Sequence, residues 1–237
     1  MIINLLSNPR NISTALMYSF AQRSDMRVFD EPFYANYLLQ SGKKHPGDKE
    51  IIANGPQSEE DVVFMITMAH AQGQHVFLKN MAHHMRYSSL KWMDACHNIL
   101  FIRNPGEVLH SFSKVIASPQ IEDIAIMDQV KLWRHFRSLG LPCTILDSKD
   151  LLQDPGGILA ALCDRLEIPF DTTMLSWPTG PKPYDGIWAQ HWYDAVHKSS
   201  GFAPYEERTL DLYPTLKVVY KTAMPYYLEL FQHRLTL

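Results

Sequence analysis

Five short apolar runs, each followed by a stretch of helical periodicity, constrain the fold of this 237-residue chain more than any other feature. The runs lie at 2–6, 27–29, 76–78, 99–102 and 144–146. Helical patterns at 12–23, 34–40, 59–72, 105–117 and 124–139 alternate with them, and two more follow at 158–166 and 222–233. Short apolar runs separated in this way suit strands covered on both faces, so the alternation predicts an α/β fold with a mostly parallel central sheet and helices on both sides. Ser58 ahead of Glu59-Glu60-Asp61, and Asn104 ahead of Pro105, are helix-start signals that support the spacing. In such a fold ligands bind where loops leave the carboxyl ends of the strands, so the residues just after each run carry the functional information.

The length fits one domain, 1–237, and an apolar fraction of 46% is enough to fill its core. Residues 41–57, rich in Gly, Pro and Lys, read as a loop. Residues 176–205 are dense in Pro, Gly and aromatics, and such an excursion is either a lid or a surface loop packed down by its own rings. A net charge of −3 gives no general pull toward nucleic acid or membranes, and no apolar run is long enough to span a bilayer. Three scattered cysteines without a paired spacing read as reduced thiols, and the start of the chain lacks the pattern of a signal peptide; a cytoplasmic protein is expected. The final helical pattern either packs on the core or pairs subunits. The histidines show no convincing ligand set, so no metal is expected.

The first run leads into SNPRNIST, residues 7–14, and then into a helix. Amides at a helix start are unpaired and partly positive, which suits an anion. Asn11, Ile12, Ser13, Thr14 and Ala15 would supply them, and Arg10 adds a permanent cation. A loop of the ATP-binding type needs GxxxxGK[ST], but Ile12 stands where its Lys belongs and the first glycine of the chain is Gly42. The alternative is a simple capped helix with a solvated Arg10. A second basic turn follows the fourth run: Arg103, then Asn104-Pro105 opening a helix, then Ser111 two helical turns on and back on the same face. Arg103 and Ser111 could clasp one phosphate, or Arg103 could sit in a structural ion pair.

PRxxST after the first strand and RNPxEVxxSxxK after the fourth, in that order, resemble the sulfotransferase family. FDEPF at 29–33 resembles a carbohydrate-sulfotransferase element, and LDSKDLLQDPGGILAALCDRLEIPF at 146–170 resembles a later family segment. The resemblance implies a P-loop-NTPase-like three-layer fold and 3′-phosphoadenosine 5′-phosphosulfate (PAPS) as sulfuryl donor. It implies that the first loop holds the 5′-phosphosulfate end and that Arg103 and Ser111 hold the 3′-phosphate. A small-molecule hydroxyl or amine would be the acceptor. Arg10 would neutralise the leaving phosphate; the family often has Lys there, and Arg cannot act as an acid.

Glu31 is the candidate base, since a carboxylate in a closing apolar site has its pKa raised toward neutrality; alternatively Asp30 or Glu31 caps the next helix. The competing base is a histidine from VFLKNMAHHMR. There Lys79 matches the family and could hold sulfonate oxygens, Met81 replaces the usual His, and His83 or His84 could serve instead. Asp185-Gly186-Ile187-Trp188 loosely resembles the family's glycine-rich closing element, which implies contacts to the nucleotide from Lys182, Gly186 and Trp188. Trp192 reads rather as an anchor of the loop. Two other readings stand beside this one: a divergent nucleotide kinase, and a nucleotide-binding protein without turnover.

Overall fold

The structure, a computed structural model, describes residues 1–116, 118–207 and 209–237. All five expected strands form, each slightly longer than its apolar run: β1 Ile2–Ser7, β2 Met26–Asp30, β3 His75–Met81, β4 His97–Ile102 and β5 Cys143–Asp147. They pair in parallel in the order β2-β3-β1-β4-β5. Alternate residues feed two cores, as a sheet buried on both faces requires. Ile3, Leu5, Phe77, Ile99 and Phe101 pack against the helices Ser13–Phe20 and Pro155–Arg165. Leu6, Val76, Leu78, Leu100 and Ile102 face the helices Glu59–Ala71, Pro105–Phe112, Ile126–Leu139 and Pro214–Phe231. The result is the three-layer, P-loop-NTPase-like α/β fold.

On the second face the sheet buries three amides in a chain: Asn80 Nδ2 donates to Asn4 Oδ1 and Asn4 Nδ2 to Asn98 Oδ1, both at 3.0 Å. This polar seam pins the register of β3, β1 and β4, since a buried amide without partners would be costly.

Several boundaries differ from the sequence reading. The expected loop 41–57 contains the helix Asp48–Asn54, anchored by buried Ile51 and too short to show a period. The expected helix 105–117 ends at Phe112, and its expected last residue, Ala117, lies outside the described residues. The last helix begins at Pro214 and carries Pro225 within it; a proline fits the first helical position, where its missing N–H costs nothing. Helix Ser148–Gln153, capped by Asp147, follows β5 directly and was not expected. Residues 176–205 leave the core where Ser176 bridges Gly201, and their rings form a third cluster: Trp188 and Tyr193 pack on Tyr34, Tyr37 and Leu38 of helix Tyr34–Ser41. Among the described residues no helix is long and apolar enough to cross a membrane.

The chain runs from β1 outward to β2 and β3 on one side, then crosses to β4 and β5 on the other. The carboxyl end of β1 is therefore the switch point of the sheet, where a crevice opens between diverging loops.

Candidate active site

At that point the loop after β1 takes a tight path without glycine. Arg10 and Ile12 both sit in the left-handed region, at φ 59° and 48°. For a β-branched residue such as Ile12 this is strained, at a cost of about 1–3 kcal/mol, so the surroundings must impose it. They do so with polar pins. Asn11 Nδ2 donates to Phe101 O at 2.5 Å, Arg103 Nη1 to Arg10 O at 2.7 Å, and Gln129 Nε2 to Leu6 O at 3.0 Å and Phe101 O at 2.8 Å.

Helix Ser13–Phe20 begins with no side-chain cap. Its first amide with a backbone acceptor is that of Leu16, on Ile12 O at 3.1 Å, which leaves the amides of Ser13, Thr14 and Ala15 without one among the described residues.

The second basic turn meets this loop. Arg10 Nε donates to Ser111 Oγ at 3.1 Å, and Arg103 Nε to Glu107 Oε2 at 2.8 Å. Arg103 is thus paired with a carboxylate, whereas Arg10, half-buried, has none among the described residues. Burial, and then the charge of Arg103, pull the Arg10 guanidinium below its ordinary value. An anion placed between the two arginines would relieve both effects.

A second polar cluster lies at the carboxyl ends of β2 and β3. Lys79, 1% exposed, donates to Asp30 Oδ1 at 2.9 Å, Glu31 Oε1 at 2.5 Å and the Tyr193 hydroxyl at 2.6 Å. Tyr193 in turn donates to Asp30 and accepts from Trp188 Nε1 at 3.2 Å, and the Gly186 amide donates to Asp30 Oδ2 at 3.0 Å. Neither Asp30 nor Glu31 caps the following helix, whose N-cap is Phe33. One ammonium faces two carboxylates, so the cluster keeps an excess negative charge. Burial, opposed by Lys79 and reinforced by Asp30, holds Glu31 above the ordinary carboxylate range. Three donors' worth of bonding leaves Lys79 no proton free for a ligand, and its sequence match conceals a structural counter-ion.

Glu31 Oε1 is held by Lys79, while Oε2 lies 3.9 Å from His84 Nε2. His84 is sandwiched between Tyr34 and Tyr37 at ring distances of 4.8 and 4.7 Å. Burial keeps both His83 and His84 neutral, well below the ordinary imidazole value. His84, the alternative to His83, is therefore the histidine next to the carboxylate.

One cavity of about 870 Å³ runs between the two clusters. It brings together Arg10 through Ala15, Glu31, Lys79, His83, Arg103, Ser111 and Trp188, with His84 and Tyr193 also on its wall. Gly186 lines a neighbouring cavity along β2 instead. Lys182 lines neither; its ammonium is taken by the carbonyls of Pro178, Thr179 and Gly180 and lies over the Tyr18 ring. His84, Asp30 and Tyr193 complete the second cluster, and no local spacing in the sequence links them.

A parallel α/β sheet with an uncapped helix start at its switch point, two arginines over the loop before it and a carboxylate across the crevice is the layout of a P-loop-type α/β fold. The family model of the sulfotransferase domain matches residues 1–233, and the chain belongs to that family. Two Arabidopsis thaliana proteins named branched-chain-amino-acid aminotransferase-like protein 2 and 1 are 38% and 36% identical to it over 204 and 203 residues. The matches cover 85% of this chain but 36% of each relative, so the chain spans about a third of their length. Among solved structures, the sulfotransferase domain of the curacin biosynthetic pathway aligns at a TM-score of 0.58 and 17% identity, over 94% of this chain and 97% of that one. A sulfotransferase from Alicyclobacillus acidocaldarius aligns at 0.54 and 12% identity, over 100% and 97%. At such identities these two show the shared fold.

Proposed function

We propose that this chain transfers a sulfuryl group from PAPS to a hydroxyl or amine of a small-molecule acceptor. The observation that carries the reading is the pairing of Arg10 with Arg103 and Ser111 above an uncapped helix start, with no carboxylate for Arg10 among the described residues. Such a site suits a multiply charged phosphate ligand. Ile12 in place of the usual loop lysine argues against ATP and hence against a nucleotide kinase.

The donor would supply an activated sulfuryl group. The residues of the chain would supply position and charge: loop amides from Asn11 to Ala15 for the 5′ end, Arg103 and Ser111 for the 3′ end. Glu31 Oε2, left free by Lys79, would take the acceptor's proton as the acceptor oxygen or nitrogen attacks the sulfur in line and the bond from sulfur to the 5′-phosphate oxygen breaks, with 3′,5′-adenosine bisphosphate leaving; His84, 3.9 Å away, is the neighbouring group that could pass the proton on. Trp188 and Tyr193 line the same cavity as Glu31 and would exclude water from it with the acceptor bound.

Virtually the whole chain is spanned by the sulfotransferase model, so the stretch shared with the Arabidopsis proteins requires no aminotransferase chemistry. Free Cys96, Cys143 and Cys163 support a reducing, cytoplasmic setting.

The test is incubation with PAPS and a panel of alcohols, phenols and amines, read by mass spectrometry. A product heavier by one sulfuryl group, lost in Glu31→Gln, is expected. Tight binding of the donor with no product from any acceptor would instead favour a binding protein.

A further inference from the structure

The resemblance places the cation of the first loop at the reacting 5′-phosphosulfate, but the side chain of Arg10 goes elsewhere. Its Nε donates to Ser111 Oγ at 3.1 Å, on the helix that follows β4. Its carbonyl is held by Arg103 Nη1 at 2.7 Å, and its backbone is left-handed at φ 59°, so both the position and the direction of the residue are imposed. The candidate base Glu31 follows β2. In the order β2-β3-β1-β4, the strand before Glu31 and the strand before Arg103 are three steps apart, about 14 Å at ordinary strand spacing. Arg10 emerges after β1, between them, and turns to the β4 side, away from Glu31.

We infer that Arg10 is a specificity residue for the 3′-phosphate of the donor, forming a three-point clasp with Arg103 and Ser111. The loop amides of Asn11 to Ala15 then hold the 5′ end without a loop cation. The clasp rests on the PAPS reading and assigns Arg10 to the opposite end of the molecule from the transferred group. Arg103 spends one edge on Glu107 at 2.8 Å and one nitrogen on Arg10 O, which leaves it only part of its fork for a phosphate. Arg10, whose one side-chain partner among the described residues is a serine hydroxyl, supplies the missing charge.

The test is calorimetric binding of two probes, 3′,5′-adenosine bisphosphate and 5′-AMP, to the wild-type chain and to Arg10→Asn. Asn tolerates the left-handed backbone better than Ala does. Arg10→Lys is the second variant, should the first fold poorly. The clasp predicts that wild type prefers the bisphosphate, and that Arg10→Asn reduces this preference by about 10- to 100-fold, the worth of one charge-assisted phosphate contact. Affinity for 5′-AMP would change by less than roughly threefold, and Arg10→Lys would fall between. Equal weakening of both probes would overturn the assignment and return Arg10 to the 5′ end. Failure of wild type to bind either probe would overturn the donor reading itself, and the clasp with it.

Discussion

Replacing Lys79 by Met should expose how the buried cluster at the ends of β2 and β3 is balanced. Lys79 holds Asp30, Glu31 and Tyr193 at 2.9, 2.5 and 2.6 Å, and all four residues are buried. Removing one member of a buried charge pair costs roughly 3–5 kcal/mol, because the partner stays buried without compensation. For a domain of this size each kcal/mol lowers Tm by about 2–4 °C, so a fall of about 6–20 °C is expected. The deficit should depend on pH. Burial already raises Glu31, with Lys79 acting against that shift, so its loss raises Glu31 further. A carboxyl whose folded pKa exceeds its unfolded value binds a proton more readily when folded, and stability is lost as pH rises between the two. The Lys79→Met deficit must therefore shrink on acidification and grow toward neutrality, and adding Glu31→Gln should recover part of it. Thermal or urea unfolding across the acid range reads both effects. A variant within about 1 kcal/mol of wild type, with a deficit independent of pH, would refute the counter-ion role and restore Lys79 as a free cation for the ligand.

Further outcomes follow from the same geometry. Glu31→Gln should lower kcat by about 10²- to 10⁴-fold, and the acidic limb of the wild-type rate profile should lie above the ordinary carboxylate value of 4.5, since burial raises Glu31. The variant should lose that limb. A Cβ on Gly186 would run into the Trp188 ring, so Gly186→Ala should displace the 176–205 excursion and cost roughly 1–3 kcal/mol, visible as faster proteolysis there and a lower Tm. Asp147, beside the Tyr227 hydroxyl at 2.9 Å, is pushed up to about 6 by burial from 3.8. Its folded pKa is raised, so its contribution is present at low pH and lost as pH rises through about 6. The stability of Asp147→Asn relative to wild type should therefore increase between about pH 4 and 6 in urea titrations, and a flat difference would refute the shift.

The sheet was legible because its strands are buried on both faces. Ile2-Ile3 or Ile99-Leu100-Phe101-Ile102 can be little else when helical patterns follow them. Ends were less so: the helix Asp48–Asn54 hides among Gly, Pro and Lys because a single buried residue, Ile51, holds it. In the site, legibility follows separation along the chain. Arg103 and Ser111 sit on one local strand–helix turn, and their spacing carried the family resemblance. The bonds from Lys79 to Asp30 and to Tyr193 span 49 and 114 residues, and no spacing rule connects them. Lys79 accordingly read as a ligand contact, and its role as a buried counter-ion emerged only from the packing. His83 and His84 are neighbours in one 3₁₀ turn, and it is the packing of His84 between Tyr34 and Tyr37 that leaves it 3.9 Å from Glu31. In the loop without glycine, the left-handed backbone of Arg10 and Ile12 and the direction of the Arg10 side chain depend on Arg103, Ser111 and Phe101, about ninety to a hundred residues away, so no local pattern shows them.

The central claim is that the crevice at the end of β1 takes a 3′-phosphorylated adenine nucleotide. Its most direct test is the thermal stabilisation of wild type and Arg103→Ala by 3′,5′-adenosine bisphosphate and by ATP with magnesium. Binding to the folded chain raises apparent Tm by mass action. The account predicts a clear rise for wild type with the bisphosphate, a much smaller one for Arg103→Ala, and little from ATP. Stabilisation by ATP but not by the bisphosphate would contradict it.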